Sequence, residues 1–415
     1  MQVFNELLAE IESIPAIDVC SQVDPDSPAA SDLSEIVLSP EMQAEVIAAG
    51  APPDVLESAG ASERLEAAWP HLAATQNTAA HWRLAQITED LLECEHVPHE
   101  TTLEEVQGKF DAKRQTSGWA ESVLDRGHVS KALALCSWHR EIPAATDRFL
   151  PVVRLDALVN EPFTRKVLDK LSEVTDQTVY EAGDINKAIT ALFEKAESAG
   201  AVAVNASFVP QVDFEPGNRD SADRVLALVM LGQKTDRDDR RALRSYVMDQ
   251  VLEACAECKM SFQLILGARR AADDRAITTF DTAMVAGYTQ LTSRHSRVTL
   301  DVIPANRTLA GEFAAAARSY SNVCVSGAWS FAAFPASIRE MLRERIEMLP
   351  MNRSCALTSG ANCAEWVYAG AVRIRRELAM VLADMVNEQY ITRGGAIEVA
   401  RCYLSENPRR IYKIG

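Results

Sequence analysis

Along the chain, short runs rich in Val, Ile and Leu recur between stretches of helical periodicity. Eight such runs stand out: Ile14–Cys20, Lys131–Ser137, Leu150–Ala157, Ala201–Phe208, Ser261–Ala268, Val298–Ile303, Asn322–Gly327 and Ser354–Ser359. Most are nearly continuous in apolar residues, as strands covered on both faces should be. Between them, "DINKAITALFEKAESAG" starts at an Asp184 cap and stops at Gly200. "CAEWVYAGAVRIRRELAMVLADMV" sets Val367, Ala371, Ile374, Leu378 and Val381 on one side of a helix. Eight strands with intervening helices predict an α/β fold, a (β/α)8 TIM barrel. One interval breaks the rhythm, because Glu41 to Val123 reads as helices with no good strand. The expected organisation is a single barrel over 1–415, with an α-helical insertion at 41–125 after strand 1. Loops after strands build the catalytic face of such barrels, so this insertion is placed where it can matter.

Charge narrows the function classes. The 59 acids outnumber the 42 Lys and Arg in this 415-residue chain, giving a formal charge of −17, which argues against a nucleic-acid partner. The opening "MQVFNELLAEIESI" places Val3, Phe4, Leu7, Leu8 and Ile11 at helical spacing among acids, unlike an export signal. The longest uncharged run, Ser319 to Ile338, contains Gly327 and Pro335 and reads as a strand leading into a helix, so no membrane partner is expected. A cytoplasmic protein follows as the expectation. Nine scattered cysteines form no disulfide framework, and Cys255 and Cys258 lie on an amphipathic run where thiols pack as small apolar groups. The charge run "KTDRDDRRALR" reads as a solvated helix start.

Four segments carry a resemblance: "IPAIDVCSQVDPD", "VVRLDALVNE", "SNVCVSGAWSFAAFPASIREMLRERIEMLP" and "TSGANCAEWVYAGAVRIRREL", with "ENPRRIYKIG" as an Asn-x-x-x-x-Tyr close. On these, and over nearly its whole length, the chain resembles the uronate isomerase (glucuronate isomerase) family of the amidohydrolase superfamily. The resemblance implies conversion of a uronate aldose to its ketose through an enediol, a bound zinc ion, and a homo-oligomer. It also implies a His-x-His at the end of strand one and an Asp at the end of strand eight as metal ligands. Here those positions hold Cys20, Gln22 and Gly360, and Asn362 stands where relatives carry Arg. A carboxamide is a poor zinc ligand and glycine offers none. The departures continue at Ser39-Pro40-Glu41-Met42, where relatives have a Tyr-His-Tyr-like segment, and at Asp273, near an expected His. Past His139 the chain contains one histidine, His295.

Other family-like positions are kept: Arg154 and Asp156 at strand three, Arg307 after strand six, Trp329 after strand seven and Glu365 opening the last barrel helix. These are the substrate-binding candidates. Arg154 has two readings, a bidentate partner for a sugar-acid carboxylate or an ion pair with Asp156 or Glu365. Trp329 is a packing residue or a sugar platform. Cys20 and Cys136 end neighbouring strands, but Cys355 falls near the start of its strand, so a thiol site would need groups at different heights. His139 is a loop histidine near the strand ends. The expectation is a uronate-isomerase-like barrel without the metal site, inactive as a zinc-dependent isomerase, with no cofactor and with a sugar acid as ligand. One alternative is a metal-independent glucuronate or galacturonate isomerase that uses a carboxylate or His139 as base and Arg154 as electrostatic partner. Another is a non-enzymatic scaffold that offers the helical insertion to a partner.

Overall fold

The computed structural model describes residues 2–96, 98–207, 215–267, 283–328 and 334–415. Trp329 and Asp273 lie outside the described residues. Seven strands form one sheet in chain order: β1 (Ala16–Ser21), β2 (Val129–Ser137), β3 (Phe149–Arg154), β4 (Ala203–Ser207), β5 (Ser261–Leu266), β6 (Leu300–Pro304) and β7 (Val323–Val325). The pairs from β3 to β7 are parallel. This is an α/β fold of the TIM-barrel type. The third apolar run ends its strand at Arg154, because a short helix, Asp156–Asn160, begins immediately after it.

The eighth expected strand, Ser354–Ser359, is extended but is not a regular strand. Its flanks are bonded: Val19 N donates to Leu357 O (3.0 Å), Gly360 N to Cys20 O (2.9 Å), Gln22 N to Ala361 O (2.7 Å) and Gly327 N to Cys355 O (2.8 Å). Several of its own N–H groups go elsewhere. Cys355 N donates to Ser326 Oγ, Ala356 N to Tyr403 O and Ser359 N to the Asp18 carboxylate. A segment whose donors are diverted this way cannot complete a ladder.

The chain divides into two compact units, one of Met1–Ala132, Phe334–Arg339 and Leu357–Arg401, the other of Leu133–Ala333, Glu340–Ala356 and Cys402–Gly415. The first contains β1 and, among the described residues, only helices between β1 and β2. Their starts are capped as their sequences direct: Ser39 Oγ accepts from Met42 N, Thr78 Oγ1 from His81 N and Thr102 Oγ1 from Glu105 N. In the second unit, Val204, Ala206, Phe262, Leu264, Leu300 and Val302 join one apolar cluster with helix residues such as Leu192, Phe193 and Leu252. The alternate residues Asn205, Ser207, Gln263 and Asp301 are also buried, yet polar.

Three of these residues are linked by a chain of bonds. Asn205, Gln263 and Asp301 share one register row across β4, β5 and β6. Asn205 Nδ2 donates to Gln263 Oε1 (3.1 Å), Gln263 Nε2 to Tyr412 Oη (2.9 Å), and Tyr412 Oη to Asp301 Oδ2 (2.5 Å). Asn407 Nδ2 reaches Met351 O (2.8 Å) and Ser354 O (2.7 Å). The Asn-x-x-x-x-Tyr close is therefore a bonding device of the second unit. Burial pushes the Asp301 carboxyl up to about 6, against the pull of bonds from Tyr412 and Ser326 and of the Arg345 charge. Tyr412→Phe removes a donor from a fully buried carboxylate and should cost about 1–3 kcal/mol in urea unfolding; an unchanged midpoint would show that the bond is dispensable.

Candidate functional site at the end of β1

Asp18 sits in the middle of β1 with no exposed surface. Its Oδ1 accepts from Ser359 N (3.0 Å) and Cys20 N (3.2 Å), and its Oδ2 meets Ser359 Oγ in a short hydrogen bond. Burial nevertheless dominates and pushes the carboxyl up to about 7. Two residues on, Cys20 is buried and its carbonyl accepts from Gly360 N (2.9 Å). Gln22 is exposed, and its carboxamide donates to Gly360 O (3.3 Å). Gly360 has a left-handed backbone, φ +63°, and a Cβ there would meet nothing within 4 Å.

The positions at which the resemblance implies metal ligands are thus brought together, with Gly360 hydrogen-bonded to the Cys20 carbonyl and to the Gln22 side chain. Their donors do not fit a zinc ion: one buried thiol, one carboxamide already engaged with a carbonyl, and no side chain at Gly360. Among the described residues no group of three or more His, Cys, Asp or Glu is placed to hold a metal. The open space at Gly360 shows that a carboxylate there would not clash; the backbone conformation is what disfavours it.

Glu365 is fully buried, and both of its oxygens are used. They accept from Ala30 N (3.1 Å) and Trp119 Nε1 (2.8 Å), which pins the segment after β1 and the helix Trp119–Arg126. Ser39-Pro40-Glu41-Met42 starts the helix Pro40–Ala48, with Met42 in the core. A buried relay absent from the sequence reading lies nearby in the chain: Thr75 Oγ1 to His81 Nδ1 (3.1 Å) and His81 Nε2 to His99 Nδ1 (3.1 Å). Burial first, then the neighbouring His99, holds His81 below the ordinary histidine range.

In the second unit, Arg154 Nε pairs with Asp156 Oδ2 (2.5 Å) and Arg154 Nη2 donates to Ser207 Oγ (3.2 Å). Asp156 also accepts from Ser207 N (2.7 Å) and Ser207 Oγ (2.8 Å), a partner the sequence did not single out. The ion pair is formed, and about a third of the Arg154 side chain, 35%, stays exposed. Arg307 opens the helix Arg307–Ala317, largely exposed, and pairs with Glu340 (2.8 Å). His139 is exposed beside Ser137 (2.8 Å), with its proton affinity lowered by partial burial and by Arg140, Lys170 and Lys166. Burial pushes the Cys136 thiol up to about 11 and raises Cys355 as well, so neither is poised as a thiolate.

No family profile and no curated protein matches the chain. The fold defined by the parallel sheet, the helices after β1 and the extended segment beside it does have solved counterparts. It matches a uronate isomerase from Thermotoga maritima with a TM-score of 0.90 at 16% identity, covering 99% of this chain and 97% of that one. A glucuronate isomerase from Caulobacter crescentus matches with a TM-score of 0.88 at 15% identity, covering 100% and 94%. A uronate isomerase from Bacillus halodurans C-125 gives 0.81 at 17%, covering 100% and 97%. The chain therefore has a uronate-isomerase-like fold.

The raised carboxyls set a pH dependence. A group whose folded pKa exceeds its unfolded value stabilises fully below the unfolded value, near 4, and that contribution is lost as pH rises through the folded one. For Asp18 the loss runs from about pH 4 to about 7. Asp18→Asn imitates the protonated acid and should flatten the decline in unfolding free energy across that window by on the order of 2–4 kcal/mol. Equal slopes in wild type and variant would contradict the assignment.

Proposed function

We propose that this chain is a uronate-isomerase-like barrel that does not run the zinc-dependent aldose–ketose conversion and retains a site for a sugar acid. The observation that carries the first half is the donor set at the positions where zinc ligands would stand: a buried Cys20 thiol, a Gln22 carboxamide bonded to Gly360 O, and no side chain at Gly360. The second half rests on Arg154. Asp156 and Ser207 hold its guanidinium in one orientation, and its exposed part can take a carboxylate through charge-assisted hydrogen bonds. Asp18 does not serve as the base of a metal-free isomerisation in this reading, because a fully buried carboxyl cannot reach a substrate carbon. In this reading the protein is cytoplasmic, and its formal charge of −17 disfavours a nucleic-acid partner; no described helix is long and apolar enough to cross a membrane. Likeness to the isomerases supports a homo-oligomer.

A panel of uronates, including glucuronate and galacturonate, should give no ketose with or without added zinc. Glucuronate should still bind, and Arg154→Ala should weaken that binding about ten-fold or more in calorimetry. Turnover abolished by Arg154→Ala would favour the metal-independent isomerase instead. Absence of both binding and turnover would leave the scaffold reading.

A further inference from the structure

A pocket of about 500 Å³ in the first unit stands out in this acidic chain for its arginines. Four arginines line it: Arg83 from the helix Ala79–Asp90, Arg339, and Arg373 and Arg376 from the helix Ala364–Asn387. Two carboxylates, Glu12 and Glu377, line it with them, so cations outnumber anions in its wall. Its apolar surface comes from Leu8, Val372 and Met380, and Trp82 forms part of the lining at 53% exposure, its indole N–H bonded to Gln76 O (2.9 Å).

Aromatic rings and carboxylates hold guanidiniums of this wall in place. Arg83 lies over the Trp366 ring (4.8 Å to the centroid) and stands 3.8 Å from Glu41, while its buried Nε has no hydrogen-bond partner among the described residues. Arg339 pairs with Glu377 at 3.3 Å, and Arg376 sits over the Phe4 ring at 5.8 Å. Burial, reinforced by the Arg83 charge, pulls the Arg373 guanidinium down to about 9 against Glu41 and Glu377. A buried guanidinium beside another cation is stabilised by an added anion.

We propose that this pocket binds a small organic polyanion, a molecule whose phosphate or clustered carboxylates meet the arginines while a flat or apolar part covers Trp82 and Met380. Planar guanidiniums suit both oxyanions, since each presents paired donors to paired oxygens. The pocket volume lies in the range that encloses such a molecule. None of its lining residues belongs to the Asp18–Cys20–Gln22–Gly360 cluster or is Arg154, so this site stands or falls apart from the sugar-acid reading.

The test is calorimetry of the full chain with AMP, citrate and inorganic phosphate in low salt, repeated on Arg376→Ala, Arg339→Ala and the control Arg165→Ala. Thermal melts would verify that each variant is folded. AMP or citrate should bind, with about ten-fold or greater weakening in the first two variants and none in the control. Binding of AMP and phosphate without citrate assigns the anion as a phosphoryl group; citrate without AMP assigns it as clustered carboxylates. Trp82→Ala should weaken AMP more than phosphate. No binding by any of the three probes, or binding that all the variants share, would overturn the proposal. So would a change of oligomeric state in Arg376→Ala without ligand binding, which would make this face an interface between copies.

Discussion

The buried carboxylate of Asp18 is the constraint around which the end of β1 is organised. An acid in the centre of a buried strand is costly unless it is bonded, and Asp18 takes two backbone N–H groups and meets one hydroxyl. Meeting that need removes the Ser359 N–H from the sheet ladder, and Ser359 Oγ in turn receives Ala361 N. The segment beside β1 is therefore extended without being a regular strand. The same bonds fix where Gly360 lies relative to Cys20 and Gln22. The positions at which the resemblance implies metal ligands therefore lie together without the side chains that would hold a zinc ion.

The second unit solves a related problem in another way. Its strands turn apolar residues toward the helices and polar ones to the opposite face, where Asn205, Gln263, Tyr412 and Asp301 are bonded in sequence. Arg154, Asp156 and Ser207 form a second closed set at the ends of β3 and β4. Such networks rigidify what they connect because each member has lost its alternatives in water. Arg154 is the cationic member and keeps exposed surface, which is why the sugar-acid site is proposed there.

Much of this was legible in the chain. Seven of the eight apolar runs overlap the strands, since continuous Val, Ile and Leu report burial from the helix side. The alternating polar positions were hidden inside the same runs, because single residues such as Asn205 or Gln263 barely disturb an apolar pattern. The eighth run misled for a physical reason: its composition suits a strand, but its donors answer side chains and a distant carbonyl instead. Asp18 carried a signal in sequence, a lone acid amid "IPAIDVC", although its partner Ser359 lies hundreds of residues away and could not be paired with it by pattern. The Arg154–Asp156 pair was one of two open readings, and the structure shows it formed. Glu365 matched a family-like position, and its side chain is committed to Ala30 and Trp119.

The central claim is that the hydrogen-bonded set of Cys20, Gln22 and Gly360 stands in place of a zinc site. The most direct measurement is the zinc content of the full chain, produced in zinc-supplemented medium and purified without chelator. The account expects far less than one ion per chain, removed by simple dialysis. One tightly held zinc per chain, lost when Cys20 is replaced by Ala, would contradict it.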